Sequence, residues 1–141
     1  MRKSNAVSTA VVFIAALAAP LFAHHSVSSQ FDSTRTTTIS GMVTKIDWAN
    51  PHVWIYLTVN NGNQTIPWRV QIAGPGALKQ AGIDKGMIDL AKPITLEVWP
   101  AYSDEIGAPR SGNGRTLTLQ GGPKLDVSDK WPQGKGPNNP R

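Results

Sequence analysis

The chain has 141 residues, 14 basic and 9 acidic side chains, a formal charge of +5 and no cysteine. Lack of cysteine excludes disulfides, zinc-thiolate sites, iron-sulfur clusters and cysteine nucleophiles. The length suits one core and not two, and so mild a basic excess favours solubility and weak attraction to anionic surfaces without amounting to a nucleic-acid footprint.

Arg2 and Lys3 precede an uncharged apolar run from Ala10 to Ala19, which leads through Pro20 to Leu21-Phe22-Ala23. A charged start, an apolar middle and a small-residue end are the marks of a secretory signal, here residues 1–23. The run is short for a spanning helix and lacks a stop-transfer flank. An uncleaved anchor and cleavage after Ala18 are the alternatives; only a cut after Ala23 makes His24 the first residue of the mature chain. The expectation is a periplasmic or secreted protein whose mature form has no membrane span and is held together by its core.

Residues 24–38 are rich in Ser and Thr without sustained periodicity and read as an extended lead-in strapped onto a domain at residues 39–127. Ile39 to Trp48 has strand character, with Met42, Thr44, Ile46 and Trp48 on one face and Val43, Lys45 and Asp47 on the other; Gly41 suggests a bulge or bend. After a turn at Ala49-Asn50-Pro51, His52 to Val59 is rich in β-branched and aromatic residues and is the strongest strand signal. Asn60-Asn61-Gly62-Asn63 marks a hairpin, and Thr65 to Ile72 is the next strand, where Pro67 requires an edge or end position. Ala77 to Ala81 reads as a short helix ended by Gly82, and Ile83 to Leu90 as a connector. Pro93 to Pro100 alternates as a half-buried strand. Tyr102 to Gly114 reads as a polar loop, Arg115 to Leu119 as the last strand, Gly121 to Leu125 as a turn into a short pairing segment, and residues 128–141 as a disordered tail. Three strands, a short helix and two strands fit a mostly β fold, a small five-stranded OB-like Greek-key barrel with its helix between strands 3 and 4. An antiparallel sandwich is the alternative.

The His24-His25-Ser26 start, Phe31-Asp32, and the run from Gly41 through Val43-Thr44-Lys45-Ile46 to Trp48, Asn50-Pro51-His52 and Trp54-Ile55 together carry a resemblance. The chain resembles an uncharacterised family of small secreted bacterial proteins, a domain of unknown function, with a His-His-Ser mature start and a Trp-x-Asn-Pro-His turn. The similarity extends through Gly74 to Leu78 and the strand ending at Trp99. It implies a group and no activity, so function has to come from the residues.

The three histidines fall in two places, His24-His25 and His52. A freed His24 amine with its own imidazole, and His25 through amine, backbone amide and imidazole, would give nitrogen-rich ligation suited to copper first, then nickel or zinc. His52 would join if the lead-in folds back across the barrel mouth with Phe31 as its anchor. The plainer alternative is a frayed His pair and a half-exposed strand histidine. The second candidate is an aromatic strand face: His52, Trp54 and Tyr56 alternate with the aliphatic Val53, Ile55 and Leu57, and Trp68, Arg69 or Trp99 would extend that face toward an envelope protein or a glycan, export making nucleic acid a poor partner. Against it stands the ordinary use of large aromatics to close a small barrel. There is no Gly-x-Ser-x-Gly elbow, phosphate loop or His-Glu-x-x-His helix, so a binding protein is expected and not an enzyme.

Overall fold

The computed structural model describes residues 27–90 and 92–129. The signal at 1–23, His24, His25 and the tail from residue 130 lie outside the described residues. The elements run α1 (Val27–Gln30), β1 (Thr37–Asp47), β2 (Val53–Asn61), β3 (Gln64–Ile72), α2 (Pro75–Gln80), a 3-10 turn (Lys85–Met87), β4 (Pro93–Pro100), β5 (Arg110–Leu119) and β6 (Lys124–Asp126). β1 pairs antiparallel with β2 and β4, β2 with β3, and β4 with β5, while β3 and β5 pair in parallel. These pairings close a mixed five-stranded barrel with one short helix between its third and fourth strands, the architecture expected from the sequence. β6 pairs with the second half of β5, beyond the stretch that β3 covers.

Period-two alternation builds the core. Val53, Ile55 and Leu57 of β2, Trp68, Val70 and Ile72 of β3, and Ile94, Leu96 and Val98 of β4 all point inward and are buried. Each such aliphatic side chain contributes roughly 1.5–3 kcal/mol of burial. Leu78 of α2 and Ile83 after it plug one part of that core. Gly62 takes a positive φ of 62° in the β2–β3 hairpin, the conformation that its turn requires. Pro67 sits where β3 has only β2 beside it, before the pairing with β5 starts at Trp68, which meets the edge requirement.

Three local expectations are corrected. Residues 24–38 are not wholly extended, because Val27–Gln30 is a helical turn; Phe31 after it is buried and bridges Ala101. In β1 the register shifts between Val43 and Lys45, so Val43 is buried and Met42 is exposed, and the expected face of Met42 with Ile46 is broken. Gly41 is instead a close approach, since a Cβ there would run into the carbonyl oxygen of Thr58. The fifth strand begins at Arg110 and not at Arg115. Its Gly112 and Gly114 face the interior, where a Cβ at Gly114 would lie 2.7 Å from Cγ2 of Ile72 and one at Gly112 would lie 3.1 Å from Cβ of Val98. The glycines that make the segment look like a loop are there because the barrel has no room for larger residues.

Candidate ligand-binding face

The residues that alternate with the core on β2, β3, β5 and β4 make one outer surface. Register places Trp54 opposite Gln71, Gln71 opposite Asn113, and Asn113 opposite Trp99. Two amides thus lie between two indoles in a single row across four strands, about 14 Å from end to end at the usual strand spacing. The next row holds Tyr56, Arg69 and Ser111. Neither Trp54 nor Trp99 belongs to the core cluster or packs against it.

Cations flank the rings. The Arg69 guanidinium lies 5.7 Å from the Trp54 ring centroid and donates from Nε to the Ser111 hydroxyl at 2.7 Å. Arg115, the extra residue at the register shift of β5, stacks on Trp99 at 3.9 Å. Burial pulls the Arg115 guanidinium below its ordinary pKa, opposed by the nearby Asp126 and Asp129 carboxylates. Lys45 lies 5.0 Å from the Tyr56 ring and donates to Asp47. Lys45 is thus matched by Asp47 and Arg115 has two carboxylates near it, whereas Arg69 is engaged by a neutral hydroxyl and a ring.

The amides at the centre differ from everything around them. Gln71 is 7 % exposed and Asn113 1 %, although both are on the outside of the barrel wall. Neither Oδ1 nor Nδ2 of Asn113 has a hydrogen-bond partner among the described residues. A buried amide left in that condition costs about 1–3 kcal/mol.

Of the expected site residues, His52, Trp54, Tyr56 and Arg69 are half-buried and lie along this surface. Trp68 does not. It is 6 % exposed within the core, because neighbours on a strand point to opposite faces and Arg69 already takes the outer one. His52 Nε2 is 2.7 Å from Asp129 Oδ2, and among the described residues no group of three histidine or carboxylate donors converges. Gln71, Asn113, Ser111, Arg115 and Asp129 escaped the sequence reading. Gln71 was accessible by period two from Arg69; Asn113, set between two glycines, gave no strand signal.

A family model described as a family of unknown function matches residues 10–109. The chain belongs to DUF6152. No curated protein and no solved structure matches it. The DUF6152 match takes in His52, Trp54, Gln71 and Trp99 and ends just ahead of β5, which supplies Ser111, Asn113 and Arg115 to the same surface.

Proposed function

We propose that this DUF6152 chain is a binding module, not an enzyme, which works outside the cytoplasm after losing residues 1–23 and seats a ligand on the outer face of β2, β3, β5 and β4. The observation that carries this is the Trp54–Gln71–Asn113–Trp99 row. Indoles free of the core offer stacking surface, and amides between them offer directional hydrogen bonds. By fold-level analogy, barrels of this topology bind oligomeric ligands on the face of strands 2 and 3. The test is tryptophan fluorescence and indole N–H chemical shifts during titration with soluble glycans. Binding abolished by Trp54→Ala and by Trp99→Ala in folded protein supports this assignment; binding indifferent to both variants refutes it.

A metal site, copper first, is the second proposal, favoured by the close approach of His52 Nε2 to Asp129 Oδ2. The two groups would have to exchange this hydrogen-bonded contact for a shared cation, with His24 and His25 as the further ligands. Against it, the Arg115 charge lies within electrostatic reach of Asp129. Cu(II) titration of exported protein whose intact mass starts at His24 decides the matter: stoichiometric uptake lost in His24→Ala and weakened in His52→Ala supports copper, and uptake insensitive to both removes it.

A further inference from the structure

We infer that the ligand of this face is a neutral oligosaccharide, and that the Asn113 amide is the group that reads its hydroxyls. The inference rests on the proposal that the outer face is a ligand platform, and goes beyond it by naming the ligand class and the discriminating residue.

Asn113 has a donor and an acceptor, both buried and both without partner among the described residues. A leucine of similar shape would fill the same position without the desolvation penalty, so the amide suits a use that needs a donor and an acceptor side by side. Two adjacent ring hydroxyls of a pyranose provide that complement: one donates to Oδ1 while its neighbour accepts from Nδ2. A phosphate or carboxylate accepts only and would leave Oδ1 unanswered. Arg115 stacks on Trp99 with Asp126 and Asp129 close by, and Arg69 donates Nε to Ser111 beside Trp54, so the choice against an anion rests on the Asn113 Oδ1, which only a donor satisfies.

The indoles set the length. Trp54 and Trp99 stand three strand spacings apart, a separation that one sugar ring cannot bridge and a short oligomer can. The aliphatic face of a pyranose would stack on each indole, which brings the intervening hydroxyls over Gln71 and Asn113. Asn113 is 1 % exposed, so a ligand reaches its amide only after a covering side chain rotates, a motion that leaves the barrel backbone in place.

The exported chain, titrated with glucose, with cellotriose and with a trimer of galacturonic acid, tests this by calorimetry and tryptophan fluorescence. Cellotriose is expected to bind at least tenfold tighter than glucose or the acidic trimer. Asn113→Leu is expected to weaken cellotriose by about tenfold or more while raising Tm, a pairing that a purely structural role for Asn113 would not produce. The inference is overturned if cellotriose does not bind, if the acidic trimer binds more tightly, or if Asn113→Leu lowers Tm and leaves the affinity unchanged. Sugar binding that ignores Asn113 yet is lost in Trp54→Ala would sink this inference alone and leave the platform standing. Binding that ignores Trp54 and Trp99 as well would remove both.

Discussion

The imidazole Nε2 of His52 lies 2.7 Å from the carboxylate Oδ2 of Asp129, so the residue that leads into β2 is clasped by the segment beyond β6. The same segment is held by two backbone bonds, from Ala73 N–H to the Val127 carbonyl and from Val127 N–H to the Arg115 carbonyl. Because both side chains of the pair are about a quarter to a third exposed, the contact is worth no more than about 1 kcal/mol. Asp129→Ala is therefore expected to leave Tm almost unchanged while speeding amide exchange at Val127 and Ser128. An unfolded Asp129→Ala protein would show that the clasp carries far more of the stability than its exposure allows.

Gly114 has the opposite profile, a residue with no side chain on which the barrel depends. A Cβ there would lie 2.7 Å from Cγ2 of Ile72 and 3.1 Å from Cγ1 of Val70, both buried and unable to retreat. Gly114→Ala should cost about 1–3 kcal/mol by overpacking. At Gly76 in α2, nothing lies within reach of an added Cβ. Gly76→Ala should be neutral or stabilise by up to about 1 kcal/mol through helix propensity. Urea denaturation of the two variants side by side checks the contrast.

The same glycines explain where the sequence was opaque. β4 was legible at both ends and β2 to within two residues because Val53, Ile55 and Leu57, and Ile94, Leu96 and Val98, alternate without interruption. Arg110 to Gly114 holds no apolar residue, and its place in a strand follows from the space between Val98 and Ile72, a relationship between distant parts of the chain that no local pattern records. Half of the candidate face went with it. Trp54 and Tyr56 could be assigned an outward direction from periodicity, whereas the partnership of Gln71 with Asn113 depends on the parallel pairing of β3 with β5, across 42 residues of chain. The register shift in β1 hid the exposure of Met42 for the same reason: one extra residue reverses which side chains face inward.

Glu97 gives a prediction in pH. The Lys124 ammonium bonds Oε1 at 2.8 Å and the Thr116 hydroxyl bonds Oε2 at 2.9 Å, and in that order they hold the Glu97 carboxyl below its ordinary value of 4.5. A carboxyl depressed in the folded state lends stability that is complete above its unfolded pKa and is lost as pH falls through the folded one. The barrel should accordingly lose stability below about pH 4.5, with β6 loosening first, since Lys124 is the β6 side of that contact. Glu97→Gln should flatten the acid limb of a Tm-against-pH curve by lowering its neutral plateau toward the acid value, which stays nearly in place. An acid limb of unchanged slope in Glu97→Gln would assign the acid sensitivity elsewhere, with Asp32, whose carboxyl is lowered by Thr34 and Arg35, as the next group to replace.

Trp54 and Trp68 separate scaffold from platform. Trp68 is buried in the core cluster, and truncating it to alanine removes a large side chain from a close-packed interior, a loss of about 3–5 kcal/mol. Trp54 is half-buried, lies outside that cluster and has Arg69 5.7 Å from its ring, so Trp54→Ala should cost about 1 kcal/mol or less. Denaturant midpoints for the two variants measure the difference. If Trp54→Ala proves as damaging as Trp68→Ala, the indole on the outer face is closing the barrel wall, and binding lost in that variant could no longer be credited to a missing stacking surface. If the cost is small, the ring has no structural task to account for its position, and its place in one row with Gln71, Asn113 and Trp99 is what a ligand would require.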